Sequence, residues 1–222
     1  LVPKIVYFLG ICKSFILGVI PAAFLFVISK LTGRHNGTML AEWEREKKKG
    51  AVGQKIFFFL PTLRDGGGER VVSELTRALP ADIACTIILF EDKKIEYPYK
   101  GNIISLGVPL AGNYFYRFYA FFVRLARFRK VIKAEKPDYV ISLGDSPNII
   151  NTLSHKKSIV RVDMFLSKEY QGFLSPLFKW LIRICFNQSP KIITVSKASA
   201  HDLIHHFGVK KEKITTIYNP IN

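Results

Sequence analysis

From residue 55 onward, short apolar runs alternate with segments of helical period. The apolar runs predict strands at 55–60, 83–90, 102–106, 138–143, 158–162, 191–195 and 214–218. The 3.6-residue patterns predict helices at 69–79, 114–135, 147–153, 176–186 and 197–207. Few of the strands alternate cleanly between apolar and polar positions, which implies a sheet covered on both faces. Strand–helix alternation of this kind predicts an α/β fold, a Rossmann-like doubly wound parallel sheet. Such sheets bind ligands beyond the carboxyl ends of their strands, so the loops of interest are 61–68, 144–147, 163–168 and 196–197.

A different pattern precedes this unit. Residues 5–28 are apolar except for Lys13 and Ser14, a run of 24 positions. A bilayer core needs about 20 apolar residues in a helix, so the expectation is an N-terminal membrane-associated helix. Lys13 at mid-membrane would cost about 2.5 kcal/mol or more, and Pro21 allows a kink. A shallow hairpin, an interfacial segment over 15–28 and a hydrophobic helix docked on a partner protein are the alternatives. Lys30, Arg34 and the charged stretch EWEREKKK at 42–49 make the downstream side positive. By the positive-inside tendency, the following domain faces the cytoplasm, which predicts the cytoplasmic face of a membrane, in a bacterium the inner one. Residues 1–50 are thus a membrane-associated segment plus charged linker, and 54–222 a separate domain.

The first loop, in KIFFFLPTLRDGGGER, brings Gly66, Gly67 and Gly68 between a strand and a helix. Glycines let the backbone approach a ligand, and free N–H groups at a helix start favour an anion. A plain strand-to-helix turn is the alternative. The spacing fits neither the dinucleotide fingerprint GxGxxG nor a Walker loop, since GK[ST] is absent. Helix 114–135 interleaves eight aromatic residues with Arg117, Arg124, Arg127, Arg129, Lys130 and Lys133. It reads either as a lipid-contacting helix or as a core helix with a solvated basic face.

The net charge of +16 implies an anionic partner surface, and the bias is spread along the chain, with +5 over residues 1–50 and +11 beyond. No nucleic-acid module is recognisable, so anionic membrane and phosphate-bearing substrates are the expected partners and nucleic acid is not. Mean hydropathy is +0.17, high for a soluble protein. Cys12, Cys85 and Cys185 stand far apart in apolar contexts and imply reduced, buried thiols. No Cys/His ligand spacing, HExxH or DxD pair occurs, so no metal is expected.

Two segments together carry a family resemblance. The first is FFLPTLRDGGGERVVSELTRAL; the second runs from Ile192 to Asn222, IITVSKASAHDLIHHFGVKKEKITTIYNPIN. They resemble family-4 retaining glycosyltransferases of the GT-B fold. The matching elements are Gly67–Gly68–Glu69–Arg70, Val195–Ser196 with Asp202–Leu203, Gly208–Val209 with Lys213–Ile214, and Tyr218 to Asn222.

The resemblance implies that residues 54–222 are the N-terminal, acceptor-binding half of a GT-B enzyme. The nucleotide-sugar would bind a second domain, and the YNPIN segment marks the crossover to it. With Leu1 at the start and Asn222 at that crossover, the chain is expected to be a fragment of a longer enzyme, inactive alone. The implied reaction is retaining hexosyl transfer from a nucleotide-sugar to a cell-envelope glycan or lipid-linked acceptor, as in lipopolysaccharide or other polysaccharide biosynthesis. It needs no cofactor beyond the co-substrate. A non-catalytic membrane-bound binding module is the alternative.

Many family members carry a histidine after the fifth strand; Asp163 stands there in this chain. Asp163 is the candidate catalytic residue, as hydrogen-bond or proton acceptor, or else a cap for the next segment. The candidate substrate-binding residues are Gly66, Gly67, Gly68, Glu69, Arg70, Asp145, Ser146 and Ser196. Asp145 or Ser146 is alternatively a cap for the helix at Pro147, and Ser196 a cap for the helix from Lys197. Arg161 reads as a strand residue before it reads as a phosphate contact.

Overall fold

The computed structural model describes residues 53–64, 66–155, 157–170 and 175–219. The expected membrane segment at 5–28 and the charged stretch at 42–49 lie outside the described residues. Among the described residues no helix is long and apolar enough to cross a membrane.

In chain order the elements are β1 (Lys55–Leu60), α1 (Gly67–Ala78), β2 (Ala84–Leu89), β3 (Asn102–Ser105), α2 (Tyr114–Glu135), β4 (Tyr139–Leu143) and α3 (Asp145–Thr152). There follow β5 (Ser158–Val162), the single turn α4 (Leu166–Glu169), α5 (Ser175–Gln188), β6 (Lys191–Thr194), α6 (Lys197–Phe207), a 3₁₀ turn (Lys211–Lys213) and β7 (Ile214–Thr216). All seven strands are parallel, in the order β3-β2-β1-β4-β5-β6-β7. The predicted doubly wound sheet is present. Its order reverses between β1 and β4, and that switch point opens a crevice beyond the strands' carboxyl ends.

Side chains alternate along β1 as a strand dictates. Ile56, Phe58 and Leu60 share a cluster with Val72 and Leu75 of α1 and with its C-cap Leu79 on one face of the sheet. Phe57 and Phe59 enter the other face with Phe90, Phe128, Val140 and Ile150. Further along that second face, Val160, Val162 and Ile192 pack against Ile182, Phe186, Leu203 and Phe207. Phe59 is fully buried, stacked on Phe128 at 4.1 Å between centroids and edge-on to Phe90 at 5.4 Å. Phe59→Ala is expected to cost about 3–5 kcal/mol, read as a lower urea midpoint with an unchanged m-value.

The helix ends follow local chemistry. Asn113 Oδ1 accepts from Tyr116 N at 2.9 Å and caps α2, and Ser196 Oγ accepts from Ser199 N at 3.0 Å and caps α6. The family-like pairs in the second segment also have structural duties. Asp202 accepts from Ser167 N at 3.1 Å, tying the chain after β5 to α6, while Leu203 and Val209 are buried.

Most boundaries fall within one or two residues of expectation; α1 and α3 each begin two residues earlier, at Gly67 and Asp145. The segment expected as a loop at 163–168 is partly helical, since α4 begins within it at Leu166. The cationic face expected of α2 is in part turned inward. Arg124 is buried, donates to the Val108 and Pro109 carbonyls, and lies over the Phe90 ring at 4.3 Å. Arg127 donates to the Leu106 and Gly107 carbonyls and Arg129 to Leu153 O. A guanidinium offers several donors in a fixed fork, so these arginines bind α2 to the loop after β3 and to the end of α3.

Candidate functional site

The carboxyl ends of β1, β4 and β5 converge on the amino end of α1. Gly66 is the N-cap of α1 and supplies no side-chain cap; Gly67 and Gly68 are the first two helical residues. The first N–H groups of a helix have no partner within it and carry the positive end of its dipole. The glycines therefore lie inside the helix start, where the sequence pattern predicted a loop before Glu69.

The three glycines have different surroundings. A Cβ on Gly68 would sit 2.8 Å from Asp163 Oδ2 and 3.5 Å from Leu143 Cδ2. Any side chain at position 68 would therefore displace the Asp163 carboxylate. A Cβ on Gly67 would meet nothing within 4 Å, so the space beside it is open to a ligand. Gly66 is overlaid by the carboxylate of Glu69, which folds back from the third helical position.

Asp163 follows β5, and Arg161 lies two residues earlier within the strand. Arg161 is 6% exposed. Its Nη2 donates to Asn219 Oδ1 at 2.6 Å and lies 3.0 Å from Asp163 Oδ1. The ion pair is off the line of an N–H bond, so Asp163 Oδ1 accepts no aligned hydrogen bond, and Arg161 Nη1 has no hydrogen-bond partner among the described residues. Burial raises the Asp163 pKa above the ordinary carboxylate value, against the opposing pull of Arg161. Burial likewise lowers the Arg161 pKa, while Asp163 and then Glu69 raise it. Gly68, Arg161, Asp163 and Asn219 thus form one cluster, in which Asp163 is the ion-pair partner of the buried guanidinium and the Glu69 charge acts on it more weakly.

The other predicted residues are distributed around it. α3 begins at Asp145 with Gly144 as N-cap, so neither Asp145 nor Ser146 caps it. Gly144 has φ +91°, a backbone state that only glycine takes without strain, and it turns the chain beside Pro61 and Pro147. Asp145 Oδ2 instead accepts from the Tyr170 hydroxyl at 2.9 Å. Burial raises its pKa, and the Tyr170 bond opposes that shift. Ser146 is half-buried and Arg70 is exposed. Ser196 is occupied by α6, through Ser199 N and the Ser199 hydroxyl at 2.8 Å. The capping alternative for Asp163 is also settled, since α4 has Phe165 as N-cap and no side-chain cap.

Arg161, Asn219 and Tyr170 were not among the predicted site residues. A lone cation inside the five-residue apolar strand SIVRV was the available signal for Arg161, and the YNPIN motif was the signal for Asn219. Tyr170 carried none.

A hollow of about 300 Å³ at the opposite end of β1 and β2 is lined by Lys55, Thr76, Lys100 and Glu135. Its cations are engaged, Lys55 with Glu135 and Lys100 with Leu79 O, and it lies at the amino ends of the strands. The carboxyl-end crevice is the candidate site. Among the described residues no group of three or more His, Cys, Asp or Glu is arranged to hold a metal.

No curated protein sequence matches the chain. Among solved structures, the fold is similar to that of Anabaena Alr3699/HepE in complex with UDP and glucose. The TM-score is 0.50 at 15% identity, over 75% of this chain and 44% of that one. A UDP-N-acetylglucosamine 2-epimerase gives 0.51 at 12% identity, over 73% and 48%. The apo lipopolysaccharide outer core galactosyltransferase WaaB gives 0.49 at 16% identity, over 76% and 46%. The chain spans less than half the length of these proteins. The likenesses to Alr3699/HepE and to the epimerase show the fold, the Rossmann-like half of a GT-B architecture; that an epimerase shares it leaves the reaction to the sequence family. The model of Glycosyltransferase Family 4 matches residues 65–222, which hold α1, the Arg161–Asp163 pair and Asn219. The chain belongs to Glycosyltransferase Family 4.

Proposed function

We propose that this chain forms the acceptor side of a retaining glycosyltransferase that moves a sugar from a nucleotide-sugar to a cell-envelope glycan or lipid-linked acceptor. The observation that carries the proposal is the contact of Gly68 with the Asp163 carboxylate at the switch point of the sheet. It joins a helix N-terminus, suited to phosphate, to a half-buried carboxylate, suited to a sugar hydroxyl. Family membership and the UDP and glucose held by Alr3699/HepE support a nucleotide-sugar as donor.

In this reading the N–H groups of Gly67 and Gly68 at the start of α1 face the negative charge that develops on the leaving diphosphate. The open space beside Gly67 admits the ligand. Asp163 accepts a hydrogen bond from the attacking hydroxyl of the acceptor and aligns it. Front-face attack leaves deprotonation to the departing phosphate, so the work of these residues is positioning and electrostatic stabilisation. Arg161 holds Asp163 and is itself held by Asn219. The donor domain lies in a second unit of the whole protein.

Asp163 has a consequence for pH dependence. Its carboxyl is the stronger acceptor when ionised, since protonation turns one oxygen into a donor, and burial raises its pKa above the ordinary carboxylate value. Transfer therefore rises with pH through that raised pKa. The acidic limb of kcat/KM is expected at a higher pH than an ordinary aspartate would give, and Asp163→Asn should remove the limb as well as lower the rate.

The proposal itself is tested by incubating the whole gene product with radiolabelled nucleotide-sugars and a lipid extract of the cell envelope. Label should pass to a lipid-linked or envelope-glycan product with retained anomeric configuration. Donor binding without transfer to any fraction would leave the binding-module alternative and overturn the enzyme.

A further inference from the structure

We propose that α2 docks the domain on an anionic lipid surface through one exposed stripe, aromatic at its amino half and cationic at its carboxyl half. Residues 115, 118, 119, 122, 126, 129, 130 and 133 fall within about 120° of one another at 100° per residue. Phe118 and Tyr119 are each 65% exposed and Phe122 is 52% exposed. Phe118 and Phe122 stack edge-on at 5.1 Å. Lys130 and Lys133 continue the same stripe, are exposed, and have no carboxylate partner among the described residues. The helix has no acidic residue before Glu135.

The opposite side of α2 already meets its core needs. Ala120, Arg124 and Phe128 are buried there, and Phe59 and Phe90 receive the helix. Phe122 meets Phe121 edge-on at 5.5 Å yet stays half exposed, and Phe118 and Tyr119 stay more exposed still; a contiguous exposed apolar stripe marks an interaction surface. A second helix on this side of the sheet also carries exposed apolar residues. α5 exposes Leu177, Trp180 and Ile184 at i, i+3 and i+7, with Trp180 at 59%. It packs on the same sheet face as α2, where Phe121 of α2 joins the cluster containing Ile182 and Phe186.

Charge selects the occupant. Aromatic rings bury 5–10 Å into the boundary of headgroups and acyl chains, and adjacent lysines favour anionic headgroups. The chain carries +16, so its own acidic residues are poorly placed to cover this cationic stripe, and a second copy would bring the same charge to it. An anionic bilayer supplies both an apolar layer and opposite charge. This docking is independent of transfer chemistry, and the test below reads no activity.

The test places an environment-sensitive fluorophore on Phe122→Cys in the full chain with Cys12→Ser. Cys85 and Cys185 are buried and spared; burial also raises the Cys85 pKa to about 12, which suppresses its thiolate. Tyr119→Cys is the second label position, and Arg77→Cys on α1, packed against the other sheet face, is the control. Vesicles of phosphatidylcholine are compared with vesicles enriched in phosphatidylglycerol. The labels on α2 should shift to the blue with anionic vesicles and return in 1 M salt, while the control does not move. Lys130→Gln with Lys133→Gln should raise the half-saturating lipid concentration about 25-fold, at about fivefold for each charge. Three results overturn the proposal. One is an unshifted α2 label on protein that sediments with vesicles. Another is a blue-shifted label without lipid at all dilutions, meaning that a segment of this chain covers the stripe. The third is a lipid-independent shift that grows with protein concentration, meaning a second copy.

Discussion

Gly68→Val is expected to lower kcat/KM for sugar transfer by the whole gene product about 100-fold or more, with only a small change in thermal midpoint. The Cβ alone would stand 2.8 Å from Asp163 Oδ2. Relief requires the carboxylate to move by several tenths of an ångström, and the branched side chain pushes it further. A misplacement of about 1 Å in a positioning group costs on the order of 100-fold in rate. Stability should change little, because Gly68 has no positive φ and glycine is a poor helix residue that most substitutions improve upon. Gly67→Ala is the contrast. Its Cβ meets no protein atom within 4 Å, so any loss of transfer there reports a ligand in that space and not a disturbed fold. Paired kinetics and thermal unfolding of the two variants separate the roles. Wild-type transfer by Gly68→Val would remove Asp163 from the account.

Arg161→Met is expected to destabilise the fold by about 2–3 kcal/mol. Truncating one partner of a fully buried ion pair costs about 3–5 kcal/mol because the other charge is left unpaired. The smaller figure follows from Asp163, whose side chain keeps 27% of its exposure. The loss should have a recognisable signature. Arg161→Met combined with Asp163→Asn leaves no orphaned charge and is expected to recover most of the stability, though not the transfer. Urea titrations of the two single variants and the double variant make the comparison. Additive losses would mean that Arg161 acts through Asn219 or Glu69 and not through Asp163.

Much of the fold was legible in the sequence because its strands are short and apolar and its helices strongly periodic. β1, β5, α2 and α6 begin and end at the expected residues. The misreadings have separate physical reasons. α4 is one turn long, too short to show a period. Helix α1 begins at Gly67, although glycine propensity argues for a loop there, since residues C-terminal to the glycines hold the helix on the sheet. Long-range pairing was hidden more completely. Arg124 and Arg127 read as a basic face, yet their acceptors are carbonyls of residues 106–109, which only the folded chain brings near. Arg161 and Asn219 are 58 residues apart and meet because β5 and β7 flank β6. The candidate site was therefore readable as a set of loops at strand ends, and its internal wiring was not.

The central claim is that ligand engages the crevice where the start of α1 meets Asp163. Hydrogen exchange of the whole gene product, with and without nucleotide-sugar and acceptor, tests it without presuming the sugar. The prediction is slowed exchange at the amides of Gly67, Gly68 and Glu69 and at the segment following β5. Unchanged exchange there, with protection confined to the hollow around Lys55 and Lys100, would contradict it.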